Sequence, residues 1–194
     1  MAAAKALPSD RLSGLDMPGM QADLGKNYFE LFGLPVAFDL DSADLAERYR
    51  ELQRRFHPDR FASAPAPDRR LSVQLTAQIN AGFQTLKEPV ARARYLLGLQ
   101  GIDTDQETDT SMNPAFLMEQ MELREALEEA TLGTDRETQL ESLRQQVDRQ
   151  LQLRSATLRT HFAENSREAL GQARNLVREM LFLQKLVDEI QELD

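Results

Sequence analysis

Cysteine is absent from this sequence, and its absence excludes disulfides, thiol nucleophiles and thiolate metal sites. Tryptophan is absent as well and aromatic residues reach only 6%, while Leu, Ala, Glu, Gln and Arg abound, a balance that favours helix. No apolar run approaches the length needed to span a bilayer. Positive charge is in short supply: 23 Lys and Arg against 32 Asp and Glu leave a net charge of −9, which argues against nucleic acid or an anionic membrane as the main partner. Residues Met1 to Lys26 lack the apolar core of a signal peptide, and Asp10, Asp16 and Asp23 sit poorly with a transit peptide. Gly14, Pro18 and Gly19 break up any helix there, so residues 1–26 are expected to form a mobile tail. With 41% hydrophobic and 28% charged residues, the remainder is expected to be a folded, soluble and cytoplasmic protein.

What is present is helical periodicity, interrupted at informative places. Tyr28-Phe29-Glu30-Leu31-Phe32 forms a short helix stopped by Gly33 and Pro35. Asp41 is placed to cap a second helix, with Asp44 at its third position suiting the helix dipole. Leu45, Tyr49, Leu52 and Phe56 make one apolar stripe on it, and Arg50 and Arg54 fall on the other side. Proline has a locked φ and no N–H, and it drives the preceding residue out of the α region, so this helix should end near His57. His57-Pro58-Asp59 is thereby left at the tip of a turn, backed by arginines that suit an acidic partner. An Ala/Ser/Pro-rich loop from Phe61 to Pro67 leads to a third helix over 68–87, striped by Leu71, Leu75, Ile79, Phe83 and Leu86 and able to pair with the second as an antiparallel hairpin. Pro89 opens a short fourth helix, Val90 to Leu97.

Residues 99–113 should form a linker, because Asp103 to Thr110 is polar and acidic and lacks apolar anchors. Three long helices follow over 114–194. The first is started by Asn113-Pro114 and ends near Gly133. The second starts at Thr134 or Asp135 and runs to about His161. The third is capped by Asn165. Leu140, Leu143, Val147, Leu151, Leu158 and Phe162 support an antiparallel bundle. The helix after Pro114 carries a surplus. Phe116, Leu123, Leu127 and Ala130 give it a core stripe, yet Leu117, Met118 and Met121 lie on another side among Glu122, Glu125, Glu128 and Glu129. On the last helix, Ala173, Val177, Met180, Leu183 and Val187 define a core side from which Phe182 projects nearly opposite. Off-stripe Met and Phe serve packing or an adaptable binding surface.

Residues 27–98 resemble a J domain, the co-chaperone module of the DnaJ class. The resemblance rests on Tyr28-Phe29-Glu30-Leu31-Phe32-Gly33-Leu34, on His57-Pro58-Asp59, and on Ile79-Asn80-Ala81-Gly82-Phe83-Gln84-Thr85-Leu86 followed by Pro89. The fourth helix departs from the general pattern, and its Arg92-Ala93-Arg94-Tyr95-Leu96-Leu97 resembles the HscB-type co-chaperones of iron–sulfur cluster assembly. Phe116-Leu117-Met118-Glu119-Gln120-Met121-Glu122-Leu123-Arg124-Glu125 is similar to the segment by which that family holds the cluster scaffold protein. The resemblance implies an all-α fold, a four-helix J domain followed by an antiparallel three-helix bundle. It implies an interaction protein with no catalytic residue, no metal and no cofactor. His57, Pro58, Asp59, Arg50, Arg54 and Arg55 would meet a heat-shock ATPase chaperone of the HscA or DnaK type. Leu117, Met118, Met121, Glu122, Glu125, Glu129 and Phe182 would meet an IscU-type scaffold.

Two other readings have less behind them. An enzyme using His57 and Asp59 as base and orienter would lack a nucleophile motif and a phosphate-cradling loop, and its other histidine, His161, sits about a hundred residues away, where an end-of-helix role suits it. A general J-type co-chaperone presenting unfolded clients would lack the Gly/Phe-rich and Cys-rich segments of such relatives.

Overall fold

The computed structural model describes residues 25–104 and 113–193, so most of the proposed tail and the centre of the proposed linker lie outside it. The described chain is all-α, with seven α-helices and no strand. It divides into two compact units after Glu88.

In the first unit, α1 (Tyr28–Phe32) is short enough to need both ends tied. Asn27 Oδ1 accepts from the Glu30 N–H at 3.0 Å while Glu30 Oε2 accepts from the Asn27 N–H at 3.0 Å, a reciprocal capping box. Gly33 closes the helix at φ 64°, a left-handed position that glycine takes without steric cost. The Arg48 guanidinium donates to the Phe32 and Gly33 carbonyls at 3.1 and 3.2 Å, so the next helix holds this end as well. That helix, α2 (Ser42–Phe56), begins as expected, with Asp41 Oδ1 accepting from the Ala43 N–H at 2.8 Å and the Asp44 N–H at 3.3 Å. α3 (Ala66–Lys87) packs against both. Gly82 is buried where α1 crosses it, and a Cβ there would stand 2.9 Å from both Phe32 Cε2 and Tyr28 Cδ1. Buried Phe29, Phe32, Leu45, Leu52, Phe56, Leu75, Ile79 and Leu86 supply the core, most of it from the expected stripes.

α4 (Pro89–Leu99) packs on the helices of the second unit, α6 and α7, and buries Val90, Ala93, Leu96 and Leu97. The sequence grouped α4 with the three helices before it, whereas the division by packing falls at Pro89. The remaining helices are α5 (Pro114–Leu132), α6 (Arg136–Glu164) and α7 (Arg167–Leu193), joined by short connections that make successive helices antiparallel neighbours. Leu123, Leu127, Ala130, Leu140, Leu143, Val147, Leu183, Leu186 and Ile190 form their shared core.

Two sequence readings of this unit differ from the structure. α6 runs to Glu164, and Asn165 belongs to its end: at φ 52° it occupies the left-handed C-cap and its N–H donates to the His161 carbonyl at 3.0 Å. The residue that starts α7 is Ser166, whose hydroxyl accepts from the Ala169 N–H at 3.1 Å. Asparagine serves both kinds of cap, so spacing alone misassigned it. Phe182, in turn, is half-buried and packs against the bundle core.

Candidate functional site

Two surfaces carry the residues singled out in the sequence. The first is the turn after α2. His57 ends the helix, and Pro58 to Phe61 continue as one turn of 3₁₀ helix. Imidazole Nδ1 of His57 accepts from the Asp59 N–H at 3.3 Å, capping that turn, and lies 3.5 Å from Asp59 Oδ2. With Nδ1 occupied as an acceptor, the ring proton belongs on Nε2, where it is a donor available to a partner. The turn is braced from several sides. The His57 carbonyl accepts from the Arg60 N–H at 3.0 Å, and the Arg60 guanidinium donates to the Arg54 carbonyl at 3.0 Å. Thr76 of α3 donates its hydroxyl to the Phe56 carbonyl at 3.1 Å. Phe56 and Phe61 are buried on either side, so the polar tip stands on two hydrophobic anchors.

Arg50, Arg54, His57 and Asp59 are exposed, whereas Pro58 is only partly so. Arg55 is half-buried and lies over the Phe56 ring at 5.3 Å, which distinguishes it from the other two arginines. Arg60 and Thr76 were missed by sequence reasoning. The first is hidden among other arginines, and the second acts on a residue 20 positions earlier, a contact that periodicity does not encode.

The second surface is the outer face of α5. Asn113 Oδ1 accepts from the Ala115 N–H at 3.0 Å and opens the helix ahead of Pro114, as expected. Leu117, Met118 and Met121 are 44%, 64% and 65% exposed, with Glu122, Glu125 and Glu129 exposed beside them. Leu132, 87% exposed, extends the face to the end of the helix, within about 60° of Leu117 at the α-helical rotation. Continuing the helical wheel past the acidic residues would have found it.

Beneath this face lies a layer that the sequence did not reveal. The Phe116 ring meets Phe182 of α7 edge-on, centroids 5.9 Å apart, and the Arg124 guanidinium lies 5.7 Å over Phe182 while pairing with Glu189 at 2.5 Å. Arg154 of α6, largely buried, binds Glu119 of α5 at 2.5 Å, Glu179 of α7 at 2.9 Å and Gln150 at 2.8 Å, with its guanidinium 5.3 Å over the Phe116 ring. One cation therefore ties all three helices together behind the exposed residues. Phe182 thus stands in this supporting layer, a half-buried neighbour of the exposed side chains.

His161 lies in the last turn of α6, beside a cleft of about 420 Å³ also lined by Asn113, Gln172, Asn175, Leu176, Arg178 and Glu179. Among the described residues no cluster of His, Asp or Glu could hold a metal ion, and no helix is long and apolar enough to cross a membrane.

The braced His-Pro-Asp turn beside the packed pair α2 and α3 is the feature on which the sequence resemblance to J-type co-chaperones rests. The family model described as the HSCB C-terminal oligomerisation domain matches residues 112–191. Curated relatives called co-chaperone protein HscB homologues include one from Shewanella loihica, 47% identical over 85% of this chain and 95% of its own. Another, from Vibrio cholerae, is 45% identical over 87% and 96%. The solved structure of chaperone HscB from Vibrio cholerae is similar with a TM-score of 0.75 at 44% identity, covering 86% of this chain and 96% of that one. Human co-chaperone protein HscB is similar with a TM-score of 0.80 at 26% identity, covering 89% and 84%. This chain belongs to the HscB family of co-chaperones, as the sequence resemblance implied.

Proposed function

We propose that this co-chaperone works in iron–sulfur cluster assembly, holding an IscU-type scaffold protein on its second unit and presenting it to an HscA-type heat-shock ATPase through the His57-Pro58-Asp59 turn. The observation that carries this reading is the presence, in one chain of the HscB family, of the braced turn and of an exposed Leu/Met/Glu face on α5. The J domain spans 27–98 and the scaffold-binding region 114–194. The chain does no chemistry of its own: His57 and Asp59 perturb the partner's ATPase, with the imidazole Nε2–H and the Asp59 carboxylate as exposed polar groups on a rigid turn. Arg50 and Arg54, with Arg55 behind them, steer an acidic surface into place. Leu117, Met118 and Met121 supply apolar anchors to the scaffold, Glu122, Glu125 and Glu129 a polar rim, and Phe182 supports them from α7. Carrying both surfaces on one chain raises the effective concentration of scaffold beside chaperone. The reading places this chain in the cytoplasm.

The deciding experiment measures binding to purified IscU-type scaffold by the intact chain and by a variant with Leu117, Met118 and Phe182 changed to Ala. A loss of about 2–4 kcal/mol is expected, the range of hot-spot truncations. Unchanged affinity would overturn the assignment of this face. Stimulation of the chaperone by unfolded clients presented through this chain, with no response to scaffold, would support the general co-chaperone instead.

A further inference from the structure

The sulfur chemistry of this chain is confined to methionine, because it has no cysteine. Among the described residues there are three methionines, and their environments differ sharply. Met180 is 1% exposed in the core of α7, whereas Met118 and Met121 are 64% and 65% exposed, three residues apart on the outer face of α5. Methionine oxidation follows exposure and converts a flexible apolar side chain into a polar, chiral one. On this face the change would be concentrated. Leu117 is the apolar side chain accompanying the two thioethers on that half of the helix, and the exposed neighbours Glu122, Glu125 and Glu129 are acidic.

We propose that Met118 and Met121 form an oxidation-sensitive element through which peroxide-class oxidants weaken partner binding reversibly. The proposal rests on the assignment of this face to the scaffold protein. A thioether sulfur lone pair attacks one oxygen of hydrogen peroxide and the O–O bond breaks. The S–O bond forms as the second oxygen leaves as water, so sulfur is oxidised by two electrons and peroxide is reduced by two. Each sulfoxide oxygen is a new acceptor beside carboxylates that are themselves acceptors, and Arg124, the donor three residues after Met121, is already engaged by Glu189. The apolar contribution of both side chains is lost together. The helix itself is left standing, because its buried stripe of Phe116, Leu123, Leu127 and Ala130 contains no oxidisable sulfur. Methionine sulfoxide reductases reverse the change.

The test treats the intact protein with hydrogen peroxide and maps oxidation by peptide mass spectrometry. Affinity for purified IscU-type scaffold is then measured before oxidation, after it, and after treatment with both sulfoxide reductases. Met118 and Met121 should oxidise well ahead of Met180; equal rates would overturn the proposal. The intact protein's affinity should fall about tenfold or more, as on losing a hot-spot side chain, and recover with the reductases. The same ratio, taken within an M118L/M121L variant before and after oxidant, should stay near one. A variant that loses as much as the parent places the sensitive residues elsewhere and overturns the proposal. Tight binding that survives oxidation of both residues overturns it while leaving the scaffold assignment standing. Absence of binding before any oxidant overturns both.

Discussion

The turn at His57 and the outer face of α5 are both exposed, but they are built in opposite ways. In the turn, the groups proposed to act also hold the structure: His57 Nδ1 accepts from the Asp59 N–H and so caps the 3₁₀ turn it would use against a partner. On α5, the exposed Leu117, Met118 and Met121 carry little of the fold, and support comes from a separate layer formed by Phe116, Phe182, Arg124 and Arg154. A turn that is its own scaffold can be small, but its function and its shape are coupled. A helix face backed by a second layer takes more residues, and its surface can vary without disturbing what holds it.

The sharpest probe of this contrast is His57→Gln. A glutamine side-chain oxygen can accept from the Asp59 N–H in place of Nδ1, while the ring and its Nε2–H are removed. Stimulation of the partner ATPase should be abolished, with circular dichroism and scaffold affinity unchanged. Loss of helicity would mean that the residue is structural first, and the distinction between the two surfaces would collapse.

Next in size is Arg154→Ala, directed at the layer behind α5. Removing the guanidinium leaves Glu119 and Glu179 facing each other in a largely desolvated place, and Glu119 Oε1 is already buried without a protein partner. Breaking a fully buried pair by removing one member costs about 3–5 kcal/mol. These carboxylates retain some solvent, so about 2–3 kcal/mol is expected here from urea denaturation. Scaffold affinity should fall with it, whereas chaperone stimulation in the absence of scaffold should persist. If stability holds and only affinity falls, Arg154 would belong to the contact surface.

These two residues also show what was legible in the sequence and what was not. His57 was legible because its signal is local: a helix stop imposed by Pro58, an apolar stripe ending at Phe56, and arginines at helical spacing. Leu117, Met118 and Met121 stood out because they break a periodic pattern that the rest of α5 obeys. Arg154 gave no such signal. It lies 35 residues from Glu119 and 25 from Glu179, and an arginine within a long polar helix reads as one more solvated charge. Phe182 was seen as off-stripe, but its edge-on contact with Phe116 depends on how α5 and α7 are registered, which helix periodicity does not fix. The placement of α4 is of the same kind. Its apolar residues were visible, but nothing in Pro89 to Leu99 says which neighbours they will meet.

The smallest effect concerns Arg50 and Arg54, and it separates the two surfaces by their response to salt. Both side chains are exposed, so each should contribute about 0.2–1 kcal/mol to chaperone affinity, as exposed charges do. Changing either to Ala should therefore weaken binding a few-fold at low ionic strength, mainly through the association rate. The deficit should shrink towards zero as salt rises above about 0.15 M, where the screening length falls to about 8 Å. Scaffold binding should fall less over the same range, because Leu117, Met118 and Met121 act through apolar burial, which salt does not screen. Equal salt slopes for the two partners would show that the glutamates of α5, not its apolar side chains, dominate that surface. The two regions would then be variants of one electrostatic design.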